Sequence, residues 1–202
     1  IKNNLKVPKY FSLERSNVVN LFREIKKKEI KFPIVIKPIN EGSSLGVYIC
    51  KNRSQLKINC KKLMKTYDRI LIEKYIPGKE IQVAVMGTKA LGAIELKPKR
   101  EFYDYIAKYS SGAQTKHIMP ANLSLKKYKE VLELAKKAHK ILGCKGITRS
   151  DFRFYKNKFY LLETNTQPGM TKLSLVPEIA RYEGIEFQDL VVWMIEDASC
   201  NR

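Results

Sequence analysis

The sequence predicts an α+β fold, and three observations carry that expectation. Two pairs of β-rich runs are joined by short polar turns, 81–86 with 90–96 around Gly87-Thr88, and 147–154 with 159–165 around 156–158. Two stretches, 54–67 and 124–142, repeat apolar residues at helical spacing. At 202 residues with 44% hydrophobic content the chain can bury a sizeable core, in one domain or two.

In chain order, a strand-like stretch over 7–13 comes first. Ser16 then caps an expected helix in which Val18, Leu21, Phe22 and Ile25 follow helical spacing. The run 32–38 reads as a buried strand ending on Lys37, a residue costly to bury unless an anion meets it. The loop Asn40-Glu41-Gly42-Ser43-Ser44-Leu45-Gly46 can wrap phosphates with its backbone N–H groups; a plain hairpin turn fits it equally well. The helix over 54–67 puts Leu56, Cys60, Leu63, Met64 and Tyr67 on one core stripe. A strand over 69–75 follows, and then the Pro77-Gly78 turn. Glu73, Lys74, Tyr75, Ile76 and Glu80 around it read either as a ligand-facing acidic hinge or as an exposed Glu-Lys pair beside a turn.

The stretch 97–120 is polar and broken, and a loop of that length is functional or disordered. Its aromatics Phe102, Tyr103, Tyr105 and Tyr109 argue against disorder. His117 and His139 have no partner at ligand spacing and are expected to be structural. Ser124 opens an amphipathic helix on which Leu125, Tyr128, Leu132, Ala135, His139 and Leu142 repeat at helical spacing, and Gly143 ends it. Two further helices, 175–183 and 187–198, flank Gly184, with Trp193 in the core.

The hairpin 147–165 carries the densest chemistry. Side chains alternate along a strand, so Glu163 shares a face with Asn165, and Arg149 with Asp151. A loop centred on Asn157 sets Asp151 opposite Glu163. Facing carboxylates repel unless a cation sits between them, and an all-oxygen ligand set suits Mg²⁺ or Mn²⁺. A solvated face with an incidental charge cluster is the rival reading. Beyond the strand, Pro168 and Gly169 break regular structure, and Gly169 lets the backbone offer its N–H to a ligand. A backbone donor beside a metal-held phosphate is what a developing oxyanion needs.

The run R-x-D-F followed by L-L-E-x-N-T-x-P-G-M-T-x-x-S-L-x-P resembles the C-terminal signature of the D-alanine–D-alanine ligase family. I-K-P-x-x-x-G-S-S-x-G around Lys37 resembles the family's V-K-P-x-x-x-G-S-S-x-G, and I-E-K-Y-I at 72–76 and F-Y-D-Y-x-x-K-Y at 102–109 resemble further parts of the same family. The resemblance implies the ATP-grasp fold, two α+β subdomains with the nucleotide between them. The central subdomain would take 1–73, and the C-terminal one 74–202 with a mobile loop at 97–120 and the metal site. It further implies that Lys37, Glu41, Gly42, Ser43 and Ser44 meet the ATP phosphates, and that Glu73, Lys74, Tyr75 and Ile76 surround adenine. Glu80 would meet the ribose, and Lys108 substrate and phosphate.

By the same resemblance, Asp151, Glu163 and Asn165 hold two Mg²⁺ or Mn²⁺ ions. ATP, the co-substrate, phosphorylates the carboxylate of one D-alanine, and the amine of a second attacks that acyl phosphate to make a peptidoglycan precursor. Arg149 and the Gly169 N–H stabilise the acyl phosphate and the tetrahedral state. Ser174 holds the second D-alanine's carboxylate, and Ser43 and Tyr109 complete the catalytic set. The family's N-terminal domain, which carries a substrate-orienting glutamate and a second phosphate lysine, lies outside the sequence. A separately supplied N-terminal domain and a second copy of the chain are therefore candidate partners.

Composition narrows the classes. The net charge of +19 comes mainly from lysines spread over helix faces, such as Lys26-Lys27-Lys28 and Lys136-Lys137. No basic stripe is interleaved with aromatics, which argues against a nucleic-acid platform and for a solvated surface that attracts ATP. No apolar run reaches membrane-span length and there is no signal-peptide pattern, so no membrane partner is expected. Cys50, Cys60, Cys144 and Cys200 lack metal-ligand spacing and read as thiols of a reducing compartment, the cytoplasm. Two rivals stay open: another ATP-grasp carboxylate–amine ligase, and an inactive ATP-binding remnant.

Overall fold

Antiparallel pairing builds both halves of this chain, whose computed structural model describes residues 4–42, 44–98, 115–171 and 174–199. The chain divides between Ile76 and Pro77 into two units, with the residues before Pro8 joining the later one.

The first unit carries a four-stranded sheet in the order β1-β4-β2-β3, formed by β1 Tyr10–Glu14, β2 Ile34–Pro38, β3 Tyr48–Cys50 and β4 Arg69–Lys74. Helices α1 (Leu21–Lys27) and α2 (Arg53–Leu63) supply Leu21, Ile25, Leu56, Cys60 and Leu63 to a core with Ile34, Ile36, Ile70 and Ile72. Strand periodicity then turns Val35, Lys37, Leu71 and Glu73 to the opposite face.

Two details differ from the sequence expectation. The helix expected from Ser16 begins instead as a 3₁₀ segment, Arg15–Asn20, and Val18 is 38% exposed; Leu21 and Ile25 are buried and anchor α1, with Phe22 packed partly buried against the same core. The second helix, expected over 54–67, runs Arg53–Leu63 and is capped by Asn52. Asn52 Oδ1 accepts the Gln55 N–H at 2.9 Å, and Gln55 Oε1 accepts back from the Lys51 N–H at 2.7 Å.

The second unit has a five-stranded sheet in the order β7-β6-β5-β8-β9: β5 Lys79–Met86, β6 Lys89–Lys97, β7 Lys116–Ile118, β8 Ile147–Tyr155 and β9 Lys158–Asn165. Helix α3 (Leu125–Ile141) packs Val131 and Ala135 against Ile81, Val83, Phe152 and Phe159. Helices α4 (Leu175–Tyr182) and α5 (Phe187–Asp197) close the chain. Ser124 Oγ caps α3 by accepting from the Lys127 N–H, as expected. The buried stripe of α3 is Val131, Ala135, Ala138 and His139; Leu125 and Leu142 sit at the helix ends, 71% and 61% exposed, where no sheet lies beneath them. Among the described residues no helix is long and apolar enough to cross a membrane.

The β8–β9 hairpin reaches its register by an unexpected route. The turn has two residues, Lys156 and Asn157, both at positive φ (46° and 61°), the backbone twist that suits a tight hairpin. Such a loop alone would set Asp151 opposite Leu162. A bulge between Asp151 and Phe152 absorbs one residue of β9, and Asp151 faces Glu163 after all.

Candidate functional site

In the first unit, β2 and β4 place Lys37 and Glu73 side by side on the face that α1 and α2 leave uncovered. Val35 is the register partner of Glu73, and Lys37 sits two residues along on the same face. Lys37 Nζ lies 3.0 Å from Glu73 Oε1, with the two side chains only 18% and 7% exposed. Lysine is thus held in a partly desolvated spot by a buried carboxylate, with its remaining protons available to an anion. The sequence separates these residues by one strand and one helix, β3 and α2, and nothing local announces their pairing.

The 39–47 loop is tightly wound. Leu45 N–H donates to Gly42 C=O at 2.9 Å, Val47 N–H to Ser44 C=O at 3.3 Å, and Ser44 sits at φ 61°. A non-glycine residue held in that region is a form of strain found at ligand-binding turns. Gly46 is the glycine the loop requires: its φ is +70°, and a Cβ there would lie 2.9 Å from Pro38 Cγ. Gly42 has open space around it. Glu41 accepts from the Tyr67 hydroxyl at 3.0 Å, which holds the Tyr67 phenol above its ordinary pKa. Lys74 is exposed, and its N–H is taken by Lys9 C=O; the Tyr75 N–H is taken by Pro33 C=O at 3.1 Å, and Ile76 is buried.

In the second unit, β8 turns Thr148, Ser150 and Phe152 toward α3 and leaves Arg149, Asp151 and Arg153 on the opposite face. Arg149 grips Asp151 with two parallel bonds, Nε to Oδ1 at 2.8 Å and a terminal nitrogen to Oδ2 at 3.0 Å. The register adds Glu163 opposite Asp151 and Asn165 opposite Arg149, and Asn165 Nδ2 lies 3.4 Å from Glu163 Oε1. Among the described residues Glu163 meets no cation. Nor does any trio of His, Cys, Asp or Glu gather, so the third oxygen of a metal face is the Asn165 amide. Two carboxylates and an amide, one carboxylate lacking a counter-charge, fit a hard dication.

Glu80 lies on this same face, 3.2 Å from Arg153, and Arg153 also donates to Gly78 C=O at 3.1 Å. Past β9, Thr171 N–H and Oγ1 lie 3.0 and 2.9 Å from Ser174 Oγ, and a Cβ on Gly169 would come within 2.9 Å of that oxygen. A side chain at position 169 would have to displace the Ser174 hydroxyl. Gly169 and Ser174 thus come together as one small turn.

Ser43, Lys108 and Tyr109, with most of the 97–120 loop, lie outside the described residues. Sequence reasoning missed Arg153 as the partner of Glu80, Glu73 as the partner of Lys37, and Gln82, which is 1% exposed beside Asp151. Each depends on which strands become neighbours. Both histidines are held by single side chains: His117 Nδ1 lies 2.7 Å from Glu178, and His139 Nδ1 2.8 Å from Thr148 Oγ1.

Against known proteins, the family model described as the D-ala D-ala ligase C-terminus matches residues 2–196. The chain is 57% identical to a D-alanine–D-alanine ligase of Pelagibacter ubique over its whole length, and 47% identical over 95% of it to one of Bartonella henselae. It spans 66% and 64% of those relatives' own lengths. A Bacillus anthracis D-alanine–D-alanine ligase complexed with ATP superposes with a TM-score of 0.82 at 28% identity, covering 97% of this chain and 61% of that one. The VanG D-Ala:D-Ser ligase of Enterococcus faecalis does so at 0.85 and 27%, covering 96% and 57%.

Proposed function

The chain belongs to the D-ala D-ala ligase C-terminal family, with the ATP-grasp fold of its structural neighbours, and on that premise we propose that it binds ATP with Mg²⁺ or Mn²⁺ and serves ATP-dependent joining of two D-alanines. The observation that carries the reading is the oxygen-lined hairpin face, Asp151 opposite Glu163 with Asn165 and Arg149 beside them. A divalent ion bound there by Asp151, Glu163 and Asn165 would neutralise the charge of the nucleotide's phosphates. Arg149, already fixed by its fork on Asp151, keeps its guanidinium beside that charge.

In the first unit, Lys37 offers a cation braced by Glu73, and the wound 39–47 loop offers backbone N–H groups to phosphate oxygens. Glu80, held by Arg153, suits the ribose hydroxyls. The Gly169 N–H suits the oxyanion formed at the acyl-phosphate carbon when the amine attacks, and Ser174 suits the carboxylate of the attacking amino acid. These residues act by position and charge, which is most of what phosphoryl transfer asks of a protein. The product would be a peptidoglycan precursor.

The ATP-bound ligase among the structural neighbours supports the nucleotide half of this reading, and the named relatives support the substrate half. The test is phosphate release from ATP with D-alanine, L-alanine or D-lactate, run with and without an added N-terminal domain of a related ligase. D-alanine-dependent release in the supplemented reaction is the expected result. Release driven by a different acid and amine would assign the chain to another ligase, and ATP binding with no release under any pairing would make it a nucleotide-binding remnant.

A further inference from the structure

We propose that Gln82 is a positioning residue of the hairpin face. In this assignment its amide nitrogen steers Glu80, and its amide oxygen accepts a hydrogen bond from a water molecule brought in by the divalent ion at Asp151. The inference rests on the metal reading of that face.

Gln82 sits in the middle of β5, with Asp151 of β8 as its register partner on one side and Ile94 of β6 on the other. Directly paired residues of antiparallel strands share a face with their side chains in reach, so Gln82 is one strand inward from the carboxylates. It is 1% exposed, and among the described residues no donor meets its Oε1. Ala84 and Ile94 carry no side-chain donor, and the guanidiniums of Arg149 and Arg153, diagonal to Gln82 on this face, are turned to Asp151 and to Glu80 with the Gly78 C=O.

A buried amide oxygen without a donor costs free energy, and native proteins seldom keep one without use. Turning the amide over gives no relief. Nε2 lies 3.5 Å from Glu80 Oε1, so the flipped amide would set its oxygen against a carboxylate. The orientation is fixed from the Glu80 side, and the lone pairs that remain are available to the ligand side. Water on a hard dication is a strong O–H donor, and Asp151 is the adjacent carboxylate able to hold that ion. Gln82 would thereby act on the ion through its water and on the nucleotide through Glu80. It touches neither reacting atom.

The two roles of Gln82, support of the fold or support of the ligand, predict opposite signs. Gln82→Met keeps the length of the side chain and removes both polar groups. The proposal expects the ligand-free variant of the 202-residue chain to melt at the same temperature as the parent or about 2 °C higher, because an unsatisfied acceptor is gone. Mn²⁺-dependent ATP binding, read by calorimetry, should weaken about fivefold or more, the order of one net hydrogen bond. The water proton relaxation of bound Mn²⁺ should change as well, a signal that a purely structural residue would not move.

Unchanged Mn²⁺-ATP affinity and relaxation in Gln82→Met, with or without lost stability, would overturn the proposal. Asp151→Asn is run beside it. If Asp151→Asn weakens Mn²⁺-dependent binding and Gln82→Met does not, only this inference falls; if neither does, the metal reading of the hairpin falls with it.

Discussion

Lys37 and Glu73 show how one residue can serve two tasks with different signatures. Lys37→Met removes the cation that would face phosphate and also the ion partner 3.0 Å from a buried carboxylate. Nucleotide affinity should fall about tenfold, the order of a charge-assisted hydrogen bond. Stability should fall by about 3 kcal/mol, as when one partner of a buried pair is removed. Adding Glu73→Gln to Lys37→Met should restore much of the stability without restoring affinity, which melting curves and calorimetry on the three proteins can separate. Full recovery of both would reduce Lys37 to a structural cation.

His139 makes a pH prediction at the same scale. It is 6% exposed, and burial, aided by the charge of Lys145, holds its imidazole below the ordinary value, with a backbone contact at Cys144 working the other way. The folded state therefore binds the proton less readily than the unfolded chain, whose histidine titrates near about 6.5. Stability should be flat above that pH and decline as pH falls from there toward the depressed folded value, because the unfolded state takes up more protons in that window. His139→Gln should flatten this part of the stability curve. An unchanged slope in the variant would assign the decline to other groups.

Among the elements, the β8–β9 hairpin decides whether a metal face exists at all. Side chains alternate along a strand, so a one-residue slip would turn Glu163 toward α3 and bury its charge. The bulge prevents that slip. Deleting Leu162 should remove the need for a bulge, because the two-residue turn alone would then bring Glu163 opposite Asp151. Mn²⁺-dependent ATP binding should survive this deletion, whereas Glu163→Gln should lower it about tenfold. Loss of binding in the deletion with the fold intact would mean the bulge shapes the site in some further way.

The same hairpin shows what was legible from sequence. The facing of Asp151 and Glu163 was readable because alternation and a nearby turn are local features. The turn's length was not: a two-residue loop with a bulge and a three-residue loop without one place these carboxylates identically. Lys37 could be read as needing an anion because a cation at the end of an apolar strand is costly. That Glu73 braces it follows from β2 lying beside β4, a pairing across distant sequence. Gln82 was hidden for a related reason, since Ile81-Gln82-Val83 reads as ordinary alternation until β8 is set beside β5. The ends of α3 misled because periodicity shows a stripe without showing how far the sheet extends beneath it.

For the whole molecule, the charge of +19 creates a field that draws polyanions, and the candidate phosphate-facing groups are few within it. Salt should therefore weaken ATP binding moderately through the general field, while the dependence on divalent ion remains. Binding to DNA that fell steeply with salt and ignored divalent ions would favour a nucleic-acid role instead. The central claim is that this chain holds ATP through a divalent ion bound by Asp151, Glu163 and Asn165. Calorimetric titration of ATP into the 202-residue chain, with Mg²⁺ and with the ion chelated, for the parent and for Glu163→Gln, tests it most directly. The account predicts saturable binding in the parent that weakens about tenfold when Mg²⁺ is withdrawn or Glu163 is neutralised. Binding that is absent in the parent, or equally tight in all of these conditions, would contradict it.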